Sequence, residues 1–385
     1  MLRFLTAGES HGESLIAILE GLPAGLEVNS SLVNVELARR QKGYGRGKRM
    51  EIESDRVEFI SGLRGGRTLG SPLAMRIKNK DWENWQNTMG SEGRNPDARS
   101  VTSPRPGHAD LAGGIKYGHK DFRNILERAS ARETAARVAV GAVSKALLER
   151  AGITVGGHVI SIGGSSPSGA EFKRFREAGA LESSPVRCLD RLVEKEMIKL
   201  IDQAAEDGET LGGVFEIKGF DVPVGLGSHV HWDRRLDSDL ASAVMSIPAI
   251  KGVQIGMGFR GAEVVGSAVH DAIYHDKVKG FFRKTNNAGG VEGGMSNGET
   301  IILSAAMKPI PTLMSPLGSV HFLSKRKVDA AVERSDVTAV PAACVIGESM
   351  VAFVLAKHMC EKFGGDSMDE MLRNLENYRT YVKQL

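Results

Sequence analysis

Gly8-Glu9-Ser10-His11-Gly12-Glu13-Ser14-Leu15-Ile16-Ala17-Ile18-Leu19-Glu20-Gly21-Leu22-Pro23 admits two readings that lead to different folds. Its first five residues fit G-x-S-x-G, the nucleophile elbow of α/β hydrolases, in which the serine stands on a strand-to-helix turn. That elbow follows several strands and an oxyanion loop, whereas only nine residues precede Ser10. A pattern with three fixed positions is also common by chance. The serine hydrolase reading is therefore set aside. The apolar run across residues 13–22, closed by Pro23-Ala24-Gly25, reads as a buried strand and a turn. The histidine of the motif then becomes its informative residue. Glycine beside histidine lets the backbone bend and the imidazole stand at a pocket wall. The same chemistry returns in Arg105-Pro106-Gly107-His108-Ala109-Asp110. Two imidazoles offered to one site suggest proton transfer. Arginines in glycine-rich settings (Arg40, Arg46, Arg49, Arg105, Arg128, Arg132, Arg137 and Arg334) suggest that the site binds an anion.

The 385 residues allow one large domain or two medium ones. Hydrophobic residues at 41% and charged residues at 25% match a soluble globular chain, and no apolar run is expected to approach the ~20 residues of a membrane span. The N-terminus lacks the apolar region of a secretory signal, which points to the cytoplasm. Cys188, Cys344 and Cys360 have no paired metal spacing, so neither a disulfide framework nor a structural zinc site is expected. A net charge of +3 is too small for a nucleic-acid protein, while local basic clusters suit a small acidic ligand.

Residues 30–41 fit a capped helix that leads into a basic glycine loop. Residues 79–118, with Trp82 and Trp85, show little periodicity and are expected to form a long functional loop or lid. From Ile125 to Arg150 apolar and alanine positions recur at helical spacing, which predicts a buried helix starting beside Arg128. Residues 192–206 predict a second helix, 212–220 and 250–257 strands, and Val340 to Phe363 a buried helix. With no internal repeat or linker, one α+β domain over residues 1–385 is expected.

Four further motifs admit more than one reading. Gly256-Met257-Gly258-Phe259-Arg260-Gly261 matches G-x-G-x-x-G, but the βαβ pattern after it is poor, and tight turns explain it better than a dinucleotide. The glycine-rich stretch Asn286–Gly298 lacks a terminal Gly-Lys-Ser/Thr; its bare backbone would let a flat ligand or a phosphate approach, unless it is a surface loop. His229-Val230-His231-Trp232-Asp233 lacks a visible third and fourth metal ligand, so no metal is expected. Arg39–Arg49 is the strongest charge cluster, and its glycines would let guanidinium groups turn inward; RNA binding would call for more aromatics than Tyr44.

Together these segments resemble the chorismate synthase family over nearly the whole chain. Three signatures carry the resemblance: Gly8–Gly12 through Glu20-Gly21-Leu22-Pro23, Glu127-Arg128-Ala129-Ser130-Ala131-Arg132-Glu133-Thr134, and Arg334-Ser335-Asp336 through Gly347-Glu348-Ser349. The resemblance implies an α+β sandwich with helices between antiparallel β-sheets, assembled as a homotetramer. It implies trans-1,4 elimination of phosphate from 5-enolpyruvylshikimate 3-phosphate to give chorismate, in the shikimate pathway to the aromatic amino acids. Reduced FMN (FMNH2) is required without net redox change, and NADPH is a candidate reductant of the flavin. His11 would donate to the flavin ring, His108 would protonate the departing phosphate, and Asp336 would act as base with the flavin. Arg49, Arg105, Arg132 and Arg334 would grip the substrate, and Arg40 and Arg46 either the substrate or NADPH. FMN contacts would come from Arg128, Ala129, Ser130, Pro248, Ala249, Gly293, Lys308, Pro309, Ile310, Pro311, Thr312 and Arg334. Many members have Arg-Ser-Ser at Arg128-Ala129-Ser130 and Asn-Ala at Pro248-Ala249, so a side-chain hydrogen bond at each place is in question. The alternative is an FMN- and NADPH-dependent oxidoreductase; neither nucleic acid nor membrane is expected as a partner.

Overall fold

In the computed structural model, which describes residues 1–47, 54–165, 181–278, 280–333 and 336–385, alternating side chains on the first strands decide which face is covered. β1 (Arg3–Ala7) pairs antiparallel with β2 (Ser14–Glu20), where Leu15, Ala17 and Leu19 are buried. α1 (Ser30–Gln41) starts where the Asn29 side chain accepts a hydrogen bond from Leu32 N–H, which satisfies one of the free donors of the first turn. β3 (Val57–Ser61) and β4 (Leu73–Lys78) complete a four-stranded antiparallel sheet in the spatial order β1, β2, β4, β3. Leu73, Met75 and Ile77 repeat the alternation, so one face of the sheet is apolar and is covered by a helix.

That helix is α3 (Thr134–Arg150), preceded by the short α2 (Asp110–Tyr117). β5 (Thr154–Ile162), α4 (Arg191–Glu206), β6 (Gly213–Phe220), α5 (Leu236–Met245), β7 (Ile250–Ile255) and β8 (Ile301–Met307) follow. The second antiparallel sheet has the order β5, β6, β8, β7. α6 (Val340–Phe363) lies on β5 and β6, and α7 (Met368–Lys383) closes the chain. α3 and α6 pack against each other with α1 alongside, so helices fill the space between the sheets. Leu15 and Leu73 of one sheet, Val138 of α3, Val351 of α6 and Phe215 of the other sheet share a single apolar cluster. This is the expected α+β sandwich. Contrary to expectation, one run does reach the length of a membrane span: α6 is long and apolar enough to cross a membrane, but the protein itself buries 94% of its most apolar window.

The sandwich depends on how closely α3 and α6 approach. A Cβ at Gly141 would stand 2.5 Å from Ser349 Cα and closer still to its Cβ, backbone that cannot step aside. Helix propensity favours Gly141→Ala by about 1 kcal/mol, while the steric conflict costs about 1–3 kcal/mol or more. A net loss is expected, read as a lower denaturant midpoint. Gly318→Ala meets nothing within 4 Å and should not move it.

Two expectations need correction. The helix predicted from Ile125 begins at Thr134 instead: Arg123–Leu126 forms one turn, residues 127–130 leave the helix, and Ala131–Glu133 is a 3₁₀ turn. Ser130 takes the N-cap role, its hydroxyl accepting from Arg132 N–H, which competes with helical pairing at that point. Residues 79–118 are not structureless either. They hold the short turns Lys80–Asn84, Gln86–Met89 and Pro96–Arg99 as well as α2.

Candidate active site

The break before α3, the start of α6 and the loops after β1 and before α2 meet around a cavity of about 520 Å³. His11, His108 and Asp336 all line it, although 97 and 228 residues separate neighbouring members in the chain. Each imidazole is tied through Nδ1. His11 Nδ1 lies 2.9 Å from Glu127 Oε1, and His11 N–H donates to Glu127 Oε2 at 2.8 Å. The same ring stacks on Trp85, with centroids 3.9 Å apart and planes 21° from parallel. Trp85 is fixed in turn by its indole N–H on Asp81 and by the Arg99 guanidinium 3.9 Å from the indole centroid. His108 Nδ1 lies 2.5 Å from Asp110 Oδ1, while Arg105 Nε donates to Asp110 Oδ2 at 2.9 Å and Arg105 Nη1 to Thr312 Oγ1.

Burial alone would push the Glu127 and Asp110 carboxyls up. Hydrogen bonds from His11 and Arg123 outweigh it at Glu127, those from His108 and Arg105 at Asp110, and both stay below the usual carboxylate range.

The last turn of α1 and the basic loop after it send Arg40 and Arg46 to the cavity. Buried Arg40 donates to Thr134 Oγ1 and to Asp55, whose other oxygen takes Arg132 Nη1 at 2.5 Å. Arg132 Nε donates to Asn79 Oδ1, and Asn79 Nδ2 donates to Gly12 O, which ties the basic wall to the His11 loop. Burial pulls the Arg40 guanidinium down to about 10 despite Asp55, and the charges of Arg132 and Arg46 work in the same direction. Arg46 Nη1 pairs with Asp336 Oδ2 at 3.1 Å, and Gly47 N–H donates to Asp336 Oδ1. Buried Arg46 Nε has no acceptor among the described residues. Five cationic side chains (Arg40, Arg46, Arg105, Arg132 and Lys308) face two carboxylates, Glu333 and Asp336, among the described lining residues. Burial and the nearby Lys251 push the Lys308 ammonium down. Such a wall calls for an anion.

The other wall is apolar and includes Ala129, Ile247, Pro248, Ala249, Ile310 and Pro311. Ala249 sits at φ +67°, a conformation that costs a non-glycine residue about 1–3 kcal/mol. Its carbonyl is held by Lys308 N–H. Ser130 and Thr312 also line the cavity.

Other expected residues lie elsewhere. Arg128 does not line the cavity; its guanidinium donates to Gly8 O and to Thr6 O and Oγ1, so it holds the loop that carries His11. Pro309 is likewise outside the lining, and Arg137 binds Glu133 and Ser246. Gly293 forms the turn of the hairpin Val291–Ser296, at φ +58°. Within the glycine-rich stretch that contains it, backbone packs closely on backbone: a Cβ on Gly256 or on Gly289 would collide with the other's main chain. This also explains the G-x-G-x-x-G match. Arg49 and Arg334 lie outside the described residues. His229 and His231 are exposed, His231 pairs with Asp233, and the described residues hold no group of three or more His, Cys, Asp or Glu arranged for a metal. Glu127, Asp110, Asp55, Asn79 and Trp85 went unassigned in the sequence. Asp110 is two residues from His108, which was the one local hint of such a partner.

A family model described as chorismate synthase matches residues 2–360. The chain belongs to the chorismate synthase family. It is 57% identical to the chorismate synthase of Desulforamulus reducens, with all of both chains covered, and 57% identical to that of Desulforudis audaxviator, covering 100% of this chain and 98% of that one. A solved structure titled as a crystal structure of chorismate synthase is 45% identical, with a TM-score of 0.81 over 100% of this chain and 99% of the other. The activity is accordingly that of a carbon–oxygen lyase making chorismate in aromatic biosynthesis, and the oxidoreductase alternative is not favoured.

Proposed function

We propose that this cavity binds reduced FMN beside 5-enolpyruvylshikimate 3-phosphate and eliminates phosphate from C3 and hydrogen from C6. One observation carries the reading: two carboxylate-tied imidazoles and an excess of buried cations face one cavity with an apolar wall. A ligand with a flat ring and acidic groups fits both walls, and Arg46 Nε would find its acceptor on such a ligand. Ala129, Ser130, Pro248, Ala249, Ile310 and Thr312 would hold the flavin, and Arg40, Arg46, Arg105 and Arg132 the substrate's acidic groups. Reduced flavin, when bound, supplies electron density to the substrate as phosphate leaves, with no net redox change. His108 gives a proton to the departing phosphate. His11 holds a proton at the flavin side, and Asp336 takes part in removing the C6 hydrogen.

The test is anaerobic turnover with dithionite-reduced FMN, measuring chorismate absorbance and free phosphate, with oxidised FMN as control. Equal amounts of both products, formed only with reduced flavin and without its net oxidation, are expected. No product from a folded, flavin-binding protein would overturn the reading. Asp336→Asn is expected to bind both ligands and to slow loss of the C6 hydrogen; an unchanged isotope-sensitive rate would count against its role. Three finer points belong to the same proposal. Arg40 and Arg46 contact substrate or the phosphate of NADPH, which NADPH titration of the oxidised-FMN complex separates. The enzyme is a cytoplasmic homotetramer, which sedimentation at micromolar concentration tests. Residues 1–385 act as one domain, a reading supported by the apolar cluster shared by both sheets.

A further inference from the structure

The two histidines reach the cavity from distant parts of the chain with a common construction. Each Nδ1 meets a carboxylate on a side chain no more than 2% exposed, and each carboxylate also accepts from an arginine: Arg123 Nη1 to Glu127 Oε1 at 3.1 Å, and Arg105 Nε to Asp110 Oδ2 at 2.9 Å. We infer that Glu127 and Asp110 are positioning residues that keep the proton on Nδ1 of His11 and His108, leaving Nε2 of each ring as the atom that exchanges protons in the cavity. The inference rests on the functional reading above.

The geometry around His108 holds a competition. Arg105 Nη2 lies 3.1 Å from His108 Nδ1 and would need that nitrogen as an acceptor, whereas Asp110 Oδ1 at 2.5 Å needs it as a donor. The shorter, charge-assisted contact prevails. Arg105 Nη2 has an alternative acceptor in Asp110 Oδ1 at 3.2 Å, so nothing is left unpaired when Nδ1 carries the proton. At His11 the case is simpler. Both oxygens of Glu127 lie within 3.0 Å of Nδ1, and the groups around them, Arg123 and His11 N–H, are donors. Trp85 covers one face of the ring and prevents a flip that would exchange the nitrogens. A carboxylate that fixes a histidine tautomer acts through that ring and need not touch the substrate.

Glu127→Gln and Asp110→Asn keep the shape but must turn an NH2 toward one of these donors. The side-chain oxygen stays with the arginine or the backbone N–H, and the amide hydrogens face Nδ1. The proton then moves to Nε2. Solid-state ¹⁵N NMR of histidine-labelled protein reads this directly, with signals assigned by their loss in His11→Ala and His108→Ala. The wild type is expected to show a protonated Nδ1 at both residues, and each amide variant a new Nε2–H tautomer at its own partner only. Turnover should fall at least about tenfold in Glu127→Gln with KM little changed, since a wrong tautomer is costly where a proton must move. Glu127→Asp, which restores a carboxylate, should recover part of kcat. An unprotonated Nδ1 in the wild type, or amide variants with unchanged tautomers, overturns the inference even when the wild type makes chorismate. A wild type that makes no chorismate but has the expected NMR signature overturns the functional reading and leaves the tautomer assignment standing.

Discussion

His108→Ala is expected to slow phosphate release by about 10²–10⁴-fold, the usual worth of a positioned general acid, while the protein stays folded and retains FMN. The side chain stands in a loop before α2, partly exposed, and contributes no apolar packing to the shared core. Its removal leaves Asp110 paired with Arg105 Nε and with Arg105 N–H, so no buried carboxylate loses its last partner. The loss should therefore fall on the chemical step. Flavin titration and substrate binding to the oxidised complex check that the site is intact, and single-turnover phosphate release measures the defect. Full activity in this variant would remove the acid role from His108.

Glu348→Ala should cost about 3–5 kcal/mol of stability, the range for stripping one partner from a buried ion pair. Glu348 is fully buried on α6 and receives Arg39 at 2.7 and 3.0 Å, Lys145 at 2.6 Å and Arg187 at 2.9 Å. These come from α1, α3 and the chain just before α4, so the carboxylate pins the helical layer to the second half of the fold. Burial would push its pKa up, but the charges of Lys145, Arg39 and Arg187 outweigh it and hold the carboxyl well below the usual range. The sign for pH follows. A depressed folded pKa adds stability that is complete above the unfolded carboxylate value of about 4 and is lost as pH falls below it. Chemical-denaturation midpoints should decline on acidification below that value, and Glu348→Ala should show a shallower decline. A variant as stable as the wild type at neutral pH would show that the cluster contributes nothing net.

Much of the fold was legible because it is local. The capped helix over residues 30–41, the helix over 192–206 and the charge-poor run Val340–Phe363 each depend on neighbours within a few turns, and all three elements appear within a residue of where the spacing put them. The predicted helix from Ile125 is interrupted for a tertiary reason: the Glu127 carbonyl accepts from Ser10 N–H, the Ser130 hydroxyl caps the next turn, and Arg132 reaches Asp55 and Asn79. The glycine-rich stretch was open to more than one use. Bare backbone can approach a ligand or another backbone equally well, and only the fold brings Gly256 and Gly289 together.

By itself the sequence determined the family, the strands and helices with strong periodicity, and the residue types of the site, since motifs and capping depend on neighbours in the chain. Which carboxylate meets each histidine, that Trp85 backs His11, that Arg39 at the end of α1 turns to Glu348, and that Arg128 supports a loop instead of lining the cavity were decided only in the tertiary structure. These pairings join groups up to 309 residues apart. Their partners are selected by burial, which makes an unpaired charge costly wherever the chain happens to bring it, and no local pattern encodes that.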